Sequence, residues 1–262
     1  MSGKEDGVEY KKIELSVVGE CATLFLNRPG RNLLTVPMME EINHALMSLK
    51  EGSDLKVLVV RGRGGNFCEG IDMREHAQKR VQRVLQVFMR IFETMRMMNV
   101  ITVAAVEGRA WGAGFELAIG CNLIVASETA TFSLTQIKFG RIPPVASAIL
   151  PRIAPRRHAM EWILTGNHIS ASRLEQDGVV SRLFPVDHFE PMLDSFVAEI
   201  TDKSGPVLQL AKRAQFEAYY STFPEALANI QSLYLKDLMS LEDAEEGPQA
   251  VREGRKPEWR NR

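Results

Sequence analysis

The run Val57-Leu58-Val59-Val60 leads into Gly62-Arg63-Gly64-Gly65, and a second run, Val100 to Val106, leads into Gly108-Arg109-Ala110-Trp111-Gly112-Ala113-Gly114. A short apolar run without a polar alternate describes a strand buried on both faces, and the glycines mark where the chain leaves the sheet. Between the two runs, Arg74 to Met97 reads as one long helix; after the second, Phe115 to Cys121 reads as a short helix and Leu123 to Ala126 as another strand. Strands alternating with helices imply an α/β core with mostly parallel pairing and right-handed crossovers. Working outward, Ile13 to Val18 and Cys21 to Leu26 flank Gly19-Glu20 as a hairpin, and Thr35 caps a helix whose Met39, Ile42, Leu46 and Leu49 recur at helical spacing. Beyond Pro185 the strand signal fades. Segments 189–200, 207–220, 224–240 and 242–253 read as helices, with Gly205-Pro206 and Gly247-Pro248 as breaks or first-turn features.

At 262 residues the chain accommodates one large core, residues 1–200, and a helical appendage, 201–262, whose apolar faces must cover its own core or a neighbouring subunit. With 45% hydrophobic and 25% charged residues, it has the balance of a globular protein and not that of a disordered or fibrous chain. The 32 basic and 33 acidic residues leave a formal charge of −1, so no global field recruits nucleic acid or an anionic membrane. No apolar stretch approaches the roughly 18 residues that cross a bilayer. The opening Met1-Ser2-Gly3-Lys4-Glu5-Asp6 has no apolar signal region. Three widely spaced cysteines, Cys21, Cys68 and Cys121, fit buried free thiols in a reducing cytoplasm.

Chemistry concentrates where the two buried strands end. The loop Asn66-Phe67-Cys68-Glu69-Gly70-Ile71-Asp72 and the loop 108–116 both leave the carboxyl ends of neighbouring strands, where open α/β sheets bind ligands. Glycines there let a backbone N–H point at a ligand oxygen, and a helix beginning near Ala113 adds partial positive charge. The dinucleotide pattern GxGxxG fails at both loops, and GxxxxGK[ST], GxSxG and HExxH do not occur, which removes the strongest signals for nucleotide, serine-elbow and zinc chemistry. His44, His76, His158, His168 and His188 have no metal-ligand spacing.

Five pieces taken in order resemble the enoyl-CoA hydratase/isomerase, or crotonase, superfamily: Leu26-Asn27-Arg28-Pro29, the 67–72 loop, Gly112-Ala113-Gly114-Phe115-Glu116-Leu117, 164–171, and Gly178-Val179-Val180. The stretch 142–151 and the chain end from Leu233 to Arg262 look like the cyclic dienoyl-CoA hydratases of anaerobic aromatic degradation. The resemblance implies a spiral of ββα units with a C-terminal helical trimerisation region, as a homotrimer or dimer of trimers. It implies an acyl-CoA substrate, with coenzyme A part of that substrate and no separate cofactor or metal. The thioester oxygen would lie between the N–H groups of Ile71 and Ala113. Of the family's two catalytic glutamates, Glu116 matches the first, while Gln136 stands at the second. A carboxamide orients water but takes up no proton.

By the same resemblance, Arg28, Arg31, Glu69, Gly70, Met73, Arg74, Trp111 and Gly112 lie along the acyl-CoA path, as does Arg63, while Arg255 and Lys256 reach a neighbour's nucleotide. Each has a plainer reading: Glu116 as a first-turn acid complementing its helix dipole, Gln136 as a solvated strand end, Trp111 and Phe115 as packing, Asp72 as a cap and the arginines as surface charge. Ile142, Pro143, Pro144 and Val145 hint at a compact apolar pocket. The expectation is a hydratase of a conjugated enoyl-CoA or cyclic dienoyl-CoA, with a double-bond isomerase and a catalytically silent acyl-CoA-binding protein as rivals.

Overall fold

The computed structural model describes residues 9–50, 54–76 and 78–262; the reading of the N-terminal hexapeptide lies outside them. In chain order the elements are β1 Ile13–Val18, β2 Cys21–Leu26, α1 Val36–Lys50, β3 Val57–Gly62, α2 Val81–Met97, β4 Ile101–Val106, β5 Arg109–Trp111, α3 Ala113–Ile119, β6 Leu123–Ser127 and β7 Thr131–Ser133. There follow α4 Pro144–Ile153, α5 Arg156–Thr165, β8 Ile169–Ser170, α6 Ala171–Gln176, β9 Arg182–Phe184, α7 Phe189–Thr201, α8 Gly205–Tyr220, α9 Phe223–Lys236 and α10 Glu242–Glu253.

The main sheet has the order β1-β2-β3-β4-β6-β9, antiparallel at the hairpin and parallel from β2 onward. The continuous apolar runs are buried on both faces, as their lack of alternation requires. Leu58 and Val60 of β3 and Ala104 and Val106 of β4 face the large core under α1 and α2. Val57, Val59, Val103 and Ala105 face Phe189 and Leu193 of α7. A second sheet, β5-β7-β8, escapes sequence reading because its strands are two or three residues long. Its β5 lies inside what reads as a glycine loop, in parallel register with β7.

The helix expected from Arg74 to Met97 divides. Asp72 accepts the Arg74 N–H at 3.1 Å and caps a 3-10 turn, Met73–His76, before α2 begins at Val81. The expected break at Gly247-Pro248 does not occur. Helix α10 continues through it, and the Trp259 ring lies over Gly247. Gly205-Pro206 does open α8.

The C-terminal helices are tied back to the core through buried polar groups. Lys212 of α8 donates to the carbonyls of Met95, Met98 and Val100 at 3.3, 2.9 and 2.8 Å, so a cation closes the C-terminal end of α2, where the helix dipole favours it. Asp243 accepts from Ser204 and from the N–H groups of Arg260 and Asn261. Asn261 in turn reaches Glu20, which pairs with Lys56 at 2.9 Å.

Backbone contact decides where side chains are forbidden. A Cβ on Gly114 would stand 2.0 Å from the Cys68 carbonyl oxygen, whereas one on Gly247 would meet only the Trp259 ring at 3.6 Å. Gly114→Ala should therefore destabilise by about 1–3 kcal/mol or more through forced separation of two loops. Gly247→Ala should stay within about 1 kcal/mol of the parent, since alanine's better helix propensity is opposed by crowding of its Cβ against the Pro248 ring. Thermal melting of the two variants checks the contrast, and equal losses would contradict the packing.

Candidate active site

The two loops singled out by their glycines meet as main chain against main chain. Cys68 accepts the Trp111 N–H at 2.8 Å and donates its own N–H to the Arg109 carbonyl at 2.9 Å, while Leu34 donates to Gly70 and accepts from Asp72. Gly70 takes φ of 103° and Gly112 takes φ of 55°, conformations that disfavour a side chain. A Cβ on Gly70 would lie 3.6 Å from the Ala113 nitrogen. This turn of the chain brings the Ile71 and Ala113 N–H groups to one place. Among the described residues neither donates to another protein group, and both residues line the same cavity of about 520 Å3.

Glu116 lies at the floor of that cavity and is 1% exposed. It stands in the first turn of α3, but its hydrogen bonds go to a second helix. Oε1 accepts the Val145 and Ala146 N–H groups at 2.7 and 2.9 Å, so the carboxylate caps α4 from outside. Oε2 accepts Gln136 Nε2 at 2.7 Å. Burial pushes the carboxyl up to about 7, against the three donors that favour its ionised form. Gln136 stands at the start of a 3-10 turn, Thr135–Phe139, beside Gly112, and its Oε1 is buried with no protein donor.

The cavity wall is apolar well beyond the stretch from Ile142 to Val145. Val84, Leu85 and Phe88 of α2 line it, along with Met73, Phe139 and Ile142. Of the residues read as a pocket hint, Ile142 and Pro144 face the cavity, while Val145 is buried and lends its N–H to Glu116. The α2 contribution was missed because its inward residues read equally as core.

A second, more open cavity of about 520 Å3 adjoins the first through Arg31, Leu33 and Asp72. Lys12, Arg28, Arg31 and Arg74 line it. Asp72 holds Arg28 at 2.8 Å and Arg74 at 2.7 Å, and the Arg74 hydrogen bonds keep its carboxyl well below the usual carboxylate range. Four cations against Asp72, with Glu69 also 3.9 Å from Arg31, leave this mouth basic. Lys12 was not singled out from sequence, although the hairpin register, Ile13 opposite Leu26, sets it beside Asn27 and next to Arg28.

Other candidates lie elsewhere. Glu69 lines the inner cavity but spends its charge on Arg109 at 2.9 Å and Arg31 at 3.9 Å. Trp111 is outside the cavity wall: its ring stacks on His168 at 4.6 Å and its Nε1 donates to Thr131. Phe115 packs on Phe132 in the core. Arg63 pairs with Glu14 at 2.6 Å and covers Phe25, away from both cavities. Arg255 braces the end of α10 against Glu246 and Glu253, with Lys256 exposed beside it and neither near this chain's cavities. Among the described residues no three His, Cys, Asp or Glu side chains gather as a metal-ligand set, and no helix is long and apolar enough to cross a membrane.

Over residues 19–262 the sequence matches the enoyl-CoA hydratase/isomerase family. It is 31% identical over 240 residues to the probable enoyl-CoA hydratase echA8 of Mycobacterium tuberculosis, covering 90% of this chain and 93% of that one. To the mitochondrial enoyl-CoA hydratase domain-containing protein 3 of Danio rerio it is 28% identical over 248 residues, 93% of this chain and 86% of that one. The crystal structure of an enoyl-CoA hydratase from Bacillus anthracis superimposes with a TM-score of 0.91 at 25% identity, over 96% of this chain and all of that one. The α/β spiral with C-terminal helices is thus the crotonase fold.

The elevated Glu116 pKa has a consequence for stability. Folded, the group keeps its proton up to about pH 7; unfolded, it releases it near 4.5. Between those values the native state binds more protons, so stability falls as pH rises, by an amount on the order of 3 kcal/mol in full. Glu116→Gln removes the titration. Melting measured at pH 5 and pH 8 should show the variant gaining on the parent at the higher pH, and a pH-independent difference would mean that the carboxylate is not perturbed.

Proposed function

The chain belongs to the enoyl-CoA hydratase/isomerase family, and we propose that it adds water across the double bond of a conjugated enoyl-CoA or cyclic dienoyl-CoA. The observation that carries this reading is a buried carboxylate, Glu116, sharing one apolar cavity with the unengaged N–H groups of Ile71 and Ala113. A thioester conjugated to an alkene is electrophilic at the far carbon. When water attacks there, electrons move onto the thioester oxygen, and the two N–H groups stabilise the enolate; one such donor is worth about 2.7–4 kcal/mol of barrier. Glu116 takes a proton from the water as the C–O bond forms. It returns a proton to the adjacent carbon as the carbonyl is restored, so the sum is one water added and the carboxylate regenerated. A pKa of about 7 suits a group that must accept and release a proton near neutrality. The basic mouth formed by Lys12, Arg28, Arg31 and Arg74 supports an acyl group carried on a phosphate-bearing coenzyme.

The lone carboxylate also supports a second reading, a double-bond isomerase, in which Glu116 removes a proton at one carbon and replaces it at another through the same enolate. Incubation with crotonyl-CoA and cyclohexadienecarbonyl-CoA, with products resolved by mass, separates the readings. Added water supports the hydratase and unchanged mass with a shifted alkene the isomerase; tight binding without conversion leaves a silent acyl-CoA-binding protein. Glu116→Gln should lower turnover by about 10²–10⁴ with little change in acyl-CoA affinity. Full turnover in that variant would overturn the mechanism.

We also propose self-association as a trimer or pair of trimers. Phe223, Leu227 and Tyr234 leave an exposed apolar ridge on one face of α9. Light scattering at micromolar concentration should give a multiple of three subunits, and a stable monomer would refute it.

A further inference from the structure

Helix α2 shows one face, with Val84, Leu85 and Phe88, to the apolar cavity of Glu116 and another, with Arg83 and Arg90, to a groove against α1. Three contacts about one turn apart join the two helices in step: Arg83 to Glu40 at 2.5 Å, Asn43 to the Val87 carbonyl at 2.9 Å and Arg90 to the Met47 sulfur at 3.5 Å. The middle one leaves a polar atom unmet. Asn43 is 6% exposed, and its Nδ2 donates to the Met39 carbonyl of its own helix as well as to Val87. Two carbonyl acceptors fix which end of the amide is nitrogen. Oδ1 therefore turns away from both, buried and without a donor, on a residue that lines a cavity of about 370 Å3. An acceptor that has lost water and found no donor is unfavourable, so an occupant of the groove gains by bringing one.

The charges beside Asn43 are uneven. Glu40 answers Arg83, but among the described residues Arg90 donates only to the Met47 sulfur, a weak acceptor. We infer that this groove is a ligand site, separate from the candidate active site, for a short hydroxycarboxylate. The carboxylate pairs with Arg90, whose guanidinium offers it two parallel N–H donors, and the hydroxyl donates to Asn43 Oδ1. Arg90 stands on the turn of α2 after Val87, so the two groups of the ligand are about 5 Å apart, one helical pitch, which places the hydroxyl two or three carbons from the carboxylate. The donor is a hydroxyl and not an ammonium, because two guanidiniums already face one carboxylate here and a further cation would be repelled. The site is independent of the reaction proposed for Glu116, which uses none of these groups.

Three acids of similar size test the site by ligand-observed NMR titration of the whole protein. Both enantiomers of 3-hydroxybutyrate supply the anion and the donor; butyrate lacks the hydroxyl, and 3-methoxybutyrate keeps an oxygen there but has no donor. For so few atoms the dissociation constant of 3-hydroxybutyrate should be on the order of 1 mM in at least one enantiomer. The other two acids should bind about tenfold more weakly, the effect of leaving Asn43 Oδ1 unmet. Arg90→Gln, an exposed change on α2, should weaken 3-hydroxybutyrate about tenfold, whereas Arg74→Gln, in the basic mouth, should leave it within about twofold. Asn43→Leu should remove the preference for the hydroxy acid over butyrate. That variant also loses both Nδ2 bonds, so the acid series poses the same question in the unaltered protein. Equal affinity for the three acids, no measurable binding in the millimolar range, or a loss on Arg74→Gln in place of Arg90→Gln would overturn the site.

Discussion

The close approach of the 67–72 and 108–114 loops, with no side chain between them at Gly70, Gly112 and Gly114, is the constraint on which the rest of the site depends. Gly114 fits against the Cys68 carbonyl only because it lacks a Cβ. Two ladder bonds, Cys68 to Arg109 and Trp111 to Cys68, then fix one loop on the other, and the N–H groups of Ile71 and Ala113 are left without a protein acceptor on residues that line one cavity. The parallel strands β3 and β4 supply the rigidity behind this contact, since both are buried on both faces. Polar groups that point at a developing charge are effective only when their scaffold does not have to reorganise.

Glu116 is held by a different economy. Removing a carboxylate from water is unfavourable, and three donors offset only part of that loss, which is why its pKa rises to about 7. Two of those donors are the first free N–H groups of α4, so the same carboxylate that can move a proton also anchors the helix beginning at the apolar cavity wall of Ile142 and Pro144. Position and reactivity are therefore coupled through one side chain. The entrance is governed oppositely: its cations sit at the surface, where Asp72 fixes Arg28 and Arg74 in place without cancelling the basic excess.

The strand and helix order of the main sheet and the two glycine loops were legible in the sequence because each rests on local pattern, unbroken apolar runs and glycine at turns, while the pairing of Glu116 with Gln136 came from the resemblance to the crotonases. The same locality misled at Gly247-Pro248 and at 74–76, where Trp259 packing and the Asp72 cap override local propensity. Sequence determined which groups could do chemistry. Tertiary structure decided which of them meet: it set Glu116 against the N-terminus of α4, joined Lys12 to the arginine mouth, turned Trp111 onto His168, tied Arg255 into α10 and left one carbonyl of Gln136 without a protein donor. The physical reason is that hydrogen bonding and burial are settled by neighbours distant along the chain, which no short window of residues contains.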